Sequence, residues 1–548
     1  VSGLAFAIAY SPRAQAHSSV ERRKGVGDHA REGRIMAEAS RKLSSMDASF
    51  LYLETPEMPM HVGSMAIFRL PEDYKGDFFE DFKAMIASRL HVAPILKARL
   101  EKAPLDIDHP SWVEDDQFDI DRHIFRGSLP APHDRPTLER IVGWMHAKLL
   151  NRARPLWEFY VFEGMKDNEI GLYSKMHHAC IDGGAGAALT SMIYDVTPIP
   201  REIEKPEVRA KQRQEPRDIA ASFIDSYQQL WRQPLENSGK GIELPRSGKS
   251  DIGSILFDNA MFQIESAVKF AGSIPTMVKS ASDVMAKIAD PKSRDSLNSM
   301  LSPPTLLNKT ISSERSFAGV SVPLSAAKAV AKQAGGKLND VVLALSSGVV
   351  RRYLKEKGAL PAKSLTAAVP ISLREEGNTD SNNQVFGMIC SIASNIEDPK
   401  ERLEAIIAQS TKSKEMSHPL RALMPQVSNI SMLGAPIMVQ ILALLYSRTN
   451  LSDVLPPAAN ITVSNVPGPR QTLYAAGAEL LHIFPVSIAT HGLALNITVQ
   501  SYRDQLDFGF IAGANIIPHV QVLADMMPDE FALLQAAFAP PDVLKTAS

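Results

Sequence analysis

The residues best suited by type and spacing to carry chemistry stand together in His177-His178-Ala179-Cys180-Ile181-Asp182-Gly183. An imidazole whose ordinary pKa lies near 6.5 can take a proton from a hydroxyl at neutral pH. Asp182 has two roles open to it: orienting the ring, as in a triad, or bracing the loop through an arginine. Gly183 lets the backbone come close to a substrate and adopt unusual dihedrals. No Ser or Cys sits in a recognisable nucleophile elbow, so direct attack by a substrate hydroxyl is simpler than a covalent intermediate. Nothing near Cys180 in the sequence would activate its thiolate, and it reads as a small apolar filler. The histidines and Asp182 match no familiar zinc spacing, so no metal is expected. A histidine pair is by itself more often structural than catalytic, and the HHxxxDG pattern alone is only moderately specific.

The elements that must position these residues are legible around them. Residues 157–162 and 171–176 read as two strands joined by the turn-like Lys166-Asp167-Asn168. The second strand runs directly into the histidines. Adjacent side chains on a strand face opposite ways, so His177 and His178 cannot share one site if the strand continues, and one of them is structural. Asp77 can cap a helix with Phe78, Phe82, Met85, Ile86 and Leu90 on one face. Thr137 can open another, with Leu138, Ile141, Val142, Met145 and Leu149 aligned. Further along, 325–334 is a helix stopped by Gly335-Gly336, and a second helix starts near Asn339. Residues 365–369, 461–464, 493–502 and 506–511 read as strands, the last two meeting at Arg503-Asp504.

At 548 residues the chain is too long for one core. Its 45% hydrophobic and 22% charged residues describe a folded globular protein, and a net charge of -2 gives no reason to expect a nucleic-acid partner. Two cysteines, Cys180 and Cys390, exclude a disulfide framework and fit a reducing compartment. Four zones follow. Residues 1–35 are a doubtful extension, 36–200 an α/β unit carrying HHxxxDG, 201–310 a charged linker and partly helical crossover, and 311–548 a second α/β unit. No stretch reaches the roughly 18–20 apolar residues needed to span a bilayer. The nearest, 432–446, reads as a buried helix, with a helix on a membrane surface as the alternative.

Separated motifs then give the chain a resemblance. Met46-Asp47-Ala48-Ser49-Phe50, Pro59-Met60-His61-Val62-Gly63, Pro155-Leu156-Trp157, HHxxxDG, Asn339-Asp340, Pro370-Ile371-Ser372-Leu373-Arg374 and Asn465-Val466-Pro467-Gly468-Pro469 occur in this order. The sequence resembles the bacterial wax ester synthase/acyl-CoA:diacylglycerol acyltransferase family from about Leu43 nearly to its C-terminal end. The resemblance implies an α/β fold of two chloramphenicol-acetyltransferase-like domains, with a tunnel between them for acyl-CoA and acceptor. It implies His178 as general base, His177 as its less critical neighbour, Asp182 as a support of loop geometry and Gly183 as a permissive backbone position. Arg374 is the arginine expected to pair with Asp182. Asn339 reads as a helix N-cap that also faces the site; Pro155, Leu156 and Trp157 are either tunnel wall or packing. Asn465 to Pro469 reads as a rigid turn. One departure is that Ala514-Asn515 stands before Pro518 where the family often has acidic residues.

The implied reaction is acyl transfer from acyl-CoA, a substrate rather than a cofactor, to a long-chain alcohol or diacylglycerol. Its setting would be cytoplasmic, peripheral to the inner membrane face or on lipid inclusions. Two rivals remain at this stage: a condensation domain of nonribosomal peptide synthesis, which shares HHxxxDG, and a non-catalytic lipid-inclusion protein that kept the fold.

Overall fold

A computed structural model describes residues 40–102, 109–181, 189–190, 192–204, 301–372, 385–421, 444 and 446–539. The N-terminal extension, the helical stretches expected within 201–310 and most of the apolar segment 432–446 lie outside the described residues.

Fifteen described strands form three sheets. The first large sheet draws on β2 (His61–Arg69), β5 (Ile124–Ser128), β6 (Trp157–Glu163) and β7 (Glu169–His177). Two strands from far along the chain, β12 (Tyr474–Ala475) and β13 (Ala478–Val486), complete it in the order β12-β13-β2-β7-β6-β5. The second large sheet, β10-β9-β11-β14-β15-β8, uses β8 (Arg315–Pro323), β9 (Thr366–Ser372), β10 (Val385–Ser391), β11 (Ile461–Val466), β14 (Leu495–Tyr502) and β15 (Gln505–Gly513). A small sheet joins β1 (Ser40–Lys42), β4 (Ser111–Glu114) and β3 (Ala98–Glu101).

The helices follow from their apolar faces and caps. In α1 (Ser45–Leu53) the Ser44 side chain accepts the Asp47 N–H, and in α2 (Phe78–Arg89) Asp77 accepts from Glu80 while Phe78, Phe82, Met85 and Ile86 are buried, as the spacing predicted. The helix expected from Thr137 is α3 (Arg135–His146) and starts earlier, because Asp134 accepts the Thr137 N–H and Pro136 lies in the first turn. Leu149, placed on its apolar face, falls beyond the helix and is 40% exposed. The second half carries α4 (Leu324–Gln333), α5 (Leu338–Glu356), α6 (Pro399–Arg421) and α7 (Gln521–Ala537). Gly335, at φ +69, stops α4 as expected.

β2 and β7 are buried on both faces. Their alternation sends Val62, Ala66, Phe68, Leu172 and Met176 into the core of the first half. Met65, Ile67 and Tyr173 go the other way, into a cluster that also contains Leu138 and Val142 of α3, Phe317 of β8, Phe484 of β13 and Ile511 of β15. That cluster and the strand exchange through β13 join the two halves.

Candidate active site

β7 ends at His177, and a 3-10 turn begins at His178. The change of geometry at that point separates the two imidazoles. The His177 N–H donates to the Leu156 carbonyl at 3.0 Å, and the His178 N–H donates to the Met60 carbonyl at 2.9 Å. Both side chains are buried. His61, the first residue of β2, lies directly opposite His177 in the sheet register.

His177 is hydrogen-bonded at one ring nitrogen and faces a carboxylate with the other. Its Nδ1 accepts the Ala179 N–H at 3.1 Å, so in the neutral ring the proton sits on Nε2. Nε2 faces Glu54 Oε1 at 3.4 Å, an ion-pair distance rather than an aligned hydrogen bond. Glu54 is the C-cap of α1. Its Oε2 accepts from Arg152 Nη2 at 2.8 Å and Nε at 3.2 Å, and its Oε1 accepts the Met60 N–H at 3.2 Å. Burial opposes this charge, yet His177 and Arg152 outweigh it and hold the carboxyl down at about 2.

His178 is different. Neither Nδ1 nor Nε2 has a hydrogen-bond partner among the described residues. Its ring instead lies against Phe50 of α1, with centroids 3.9 Å apart and planes 18° from parallel. Burial pushes its pKa down to about 3, leaving the ring neutral with a lone pair at any physiological pH.

A polar chain runs behind the turn. His61 Nε2 donates to the His146 carbonyl at 2.7 Å, Tyr173 donates its hydroxyl proton to His146 Nδ1 at 2.7 Å, and His146 Nε2 donates to the Ser487 carbonyl at 2.9 Å. Lys175, buried two residues before His177, donates to the Lys148 carbonyl at 3.2 Å and meets Glu158 at 2.9 Å. Burial and the neighbouring positive charge of Lys175 hold His146 at about 3. These groups stiffen the end of β7 from α3 and from the second half of the chain.

The structure brings some expected site residues together and leaves others apart. Leu156 holds the His177 backbone. Trp157 packs, with its ring stacked 4.5 Å from His123 and its Nε1 donating to the Leu96 carbonyl at 2.8 Å. Pro155 accepts the Trp157 N–H. Asp182, Gly183 and Arg374 lie outside the described residues. Asn339 is not the N-cap: α5 begins at Leu338, Lys337 is the cap residue, and the buried Asp340 accepts the Lys337 N–H at 2.8 Å. Asp340 stands at the third helical position, from which a side chain reaches back to the N–H of the cap residue. No hydrogen bond or ion pair among the described residues joins Asn339 or Asp340 to the His177–His178 turn. Cys180 packs in the core of the first half, as its reading as a filler expected. Asn465 and Val466 close β11, and Gly468 lies so close to the Ser501 carbonyl that a Cβ would sit 1.9 Å from it. The cleft lined by Leu70, Tyr74, Asp77, Phe78, Arg126 and Glu163 opens at the Ile170 end of β7, far from His178. Its Arg126 pairs with both Asp77 and Glu163, and it holds no histidine.

Sequence reasoning missed Glu54, Arg152 and His146, and quoted Phe50 and His61 only as parts of motifs. Comparison with known proteins settles the family. Residues 43–342 match the wax ester synthase/diacylglycerol acyltransferase catalytic domain, and 381–535 match the WS/DGAT C-terminal domain. The chain belongs to the wax ester synthase/diacylglycerol acyltransferase family. It is 32% identical to O-acyltransferase WSD of Acinetobacter baylyi over 93% of this chain and 100% of that one. It is also 32% identical to the probable diacylglycerol O-acyltransferase tgs2 of Mycobacterium tuberculosis, over 87% and 95%. The solved wax ester synthase/diacylglycerol acyltransferase of Marinobacter aquaeolei VT8 superposes with a TM-score of 0.61 at 27% identity, covering 91% of this chain and 99% of that one. The α/β architecture is thus the one the resemblance implied, and the protein is an acyl-CoA-dependent O-acyltransferase.

Proposed function

We propose that His178 is the general base of this acyltransferase, moving a fatty acyl group from acyl-CoA to the hydroxyl of a long-chain alcohol or diacylglycerol. The observation that carries the reading is the contrast between the two histidines. His177 is hydrogen-bonded at Nδ1 and has Nε2 3.4 Å from the Glu54 carboxylate, whereas His178 is buried with neither nitrogen in a hydrogen bond or ion pair among the described residues. The acceptor O–H donates to a His178 ring nitrogen. As that nitrogen takes the proton, the oxygen attacks the thioester carbonyl and gives a tetrahedral oxyanion. Collapse breaks the carbon–sulfur bond, and the departing thiolate recovers the proton from the imidazolium. Burial alone makes the imidazolium costly; the oxyanion formed with it supplies the compensating charge.

His178→Ala, with melting temperature unchanged, is expected to lower thiol release about 10²–10⁴-fold. Wild-type turnover in that variant would overturn the reading. A second check is the pH profile. A base held at about 3 in the free enzyme keeps kcat/KM level from pH 8 to pH 6, where an ordinary histidine would lose half its rate near 6.5. Comparing ester products from alcohol-only and diacylglycerol-only incubations assigns the acceptor.

The same reading places the enzyme at a lipid surface on the cytoplasmic side, peripheral to the inner membrane or on inclusions. Its acceptors are lipids, and no helix among the described residues is long and apolar enough to cross a membrane.

A further inference from the structure

We infer that Glu54 is a positioning residue for acyl transfer, its carboxylate locking the turn that presents His178. The inference rests on the reading of His178 as base and concerns groups that do not touch the substrate. Two routes lead from Glu54 to that ring. On the first, the charge of Oε1 lies 3.4 Å from His177 Nε2 while the Ala179 N–H occupies Nδ1 at 3.1 Å. The ring is held from opposite sides, in one tautomer, with Ala179 the residue directly after His178. On the second, the same Oε1 accepts the Met60 N–H at 3.2 Å, and the Met60 carbonyl accepts the His178 N–H at 2.9 Å. The loop between α1 and β2 is therefore pinned at the residue from which the His178 backbone hangs.

Arg152 completes the device. Both of its contacting nitrogens bond Oε2, and Nη2 also donates to the Leu51 carbonyl at 2.7 Å near the end of α1. The Glu54 side chain is 2% exposed whereas that of Arg152 is 42% exposed. The arginine thus anchors a buried carboxylate from the surface side, and the charge it fixes points inward at His177. Phe50 projects from the same helix onto the His178 ring. One helix and its cap thereby set both the ring and the backbone of the base. A neutral amide at Glu54 could still accept from Met60 but would lose the charge that pairs with Arg152 and orders His177.

The test compares Glu54→Gln, Arg152→Gln and His178→Ala in the full-length enzyme, singly and combined, by thiol release from acyl-CoA with a saturating long-chain alcohol. Groups that orient a reacting side chain through another are worth about 10–100-fold. Glu54→Gln is expected to lower kcat by about that factor, with KM for acyl-CoA changed less than about twofold. Arg152→Gln, at a half-exposed site, should fall the same way but less, and decides the matter if Glu54→Gln does not fold. Adding Glu54→Gln to His178→Ala should leave the residual rate unchanged, because Glu54 acts only through that ring. A folded Glu54→Gln enzyme with wild-type kcat overturns the proposal, as does a rise in KM alone or a further loss in the His178→Ala background. The two readings fail separately. Full activity in His178→Ala removes the general base and this proposal with it; an inactive His178→Ala beside a fully active Glu54→Gln removes only the role of Glu54.

Discussion

A catalytic imidazole needs its ring plane fixed, and a triad does this with a carboxylate on the far nitrogen. Among the described residues no acid bonds to His178, and the restraint is the face of Phe50 at 3.9 Å. An aromatic face holds the plane and also attracts the imidazolium once the proton has arrived, by about 0.5–2 kcal/mol, less than the burial that keeps the ring's pKa low. Phe50→Leu keeps apolar volume but removes the flat face. It is expected to lower kcat about 3- to 30-fold with KM for acyl-CoA unchanged, since about 1.36 kcal/mol is tenfold in rate. Steady-state kinetics at saturating acceptor checks this, and an unchanged kcat would show that the stack is packing alone. At this scale the sequence was partly legible. Strand alternation would have parted His177 from His178 had the strand run on, but β7 ends at His177 and it is the 3-10 turn at His178 that parts them. Glu54 was invisible because nothing in its neighbourhood marks it; its meaning comes from β7 and the Arg152 loop folding onto the end of α1, and long-range contacts leave no local pattern. Asn339 misled because Asn before an apolar run is a favoured cap, whereas the chain turns at Lys337 and the Asp340 carboxylate takes that amide.

Elements with their own local signal were readable: the β6–β7 hairpin from Asp167 and Asn168, both at positive φ, and the helices from their apolar period. Strand β13 was not, because its partner β2 belongs to the other half of the chain and pairing between distant segments has no sequence period. The close approach of β2 and β7 beside the His177–His178 turn can be tested directly. A Cβ on Gly63 would stand 1.9 Å from the Ser174 carbonyl oxygen, a backbone atom that cannot rotate away. Gly63→Ala must therefore part the two strands next to the His61–His177 pair. The expected cost is about 3 kcal/mol or more, with activity lost in whatever folds. Gly358→Ala is the control. It sits after α5 at φ +63 with nothing within 4 Å of where the added methyl would stand, and should cost about 1 kcal/mol from backbone strain with activity retained. Thermal melting and thiol release of the two variants, side by side, separate steric parting of the sheet from the general effect of losing a glycine.

At the scale of the whole molecule, the two halves meet where α3 packs on β8, and that contact contains a titrating group. Glu139 of α3 accepts the Gly319 N–H of β8 at 3.0 Å through Oε1, while its Oε2 has no hydrogen-bond partner among the described residues. Burial outweighs the help of Arg135 and of that amide, and pushes the carboxyl up to about 7 from an ordinary 4.5. The folded protein therefore holds this proton more tightly than the unfolded chain. The contribution to stability is fully present below about pH 4.5 and is lost as pH rises through 7, a difference on the order of 3 kcal/mol. Glu139→Gln keeps an oxygen for Gly319 and abolishes the titration; the Arg135 side chain it releases is 39% exposed, so that loss is small. At a pH of about 8.5 the variant is expected to melt about 2–5 °C above the wild type, the gap narrowing as pH falls through 7 and closing near pH 5. Melting curves across that range decide it. A gap that does not change with pH, or a variant less stable on the alkaline side, would mean that Glu139 is held as a carboxylate and that the joint between the halves carries a paired charge rather than a shared proton.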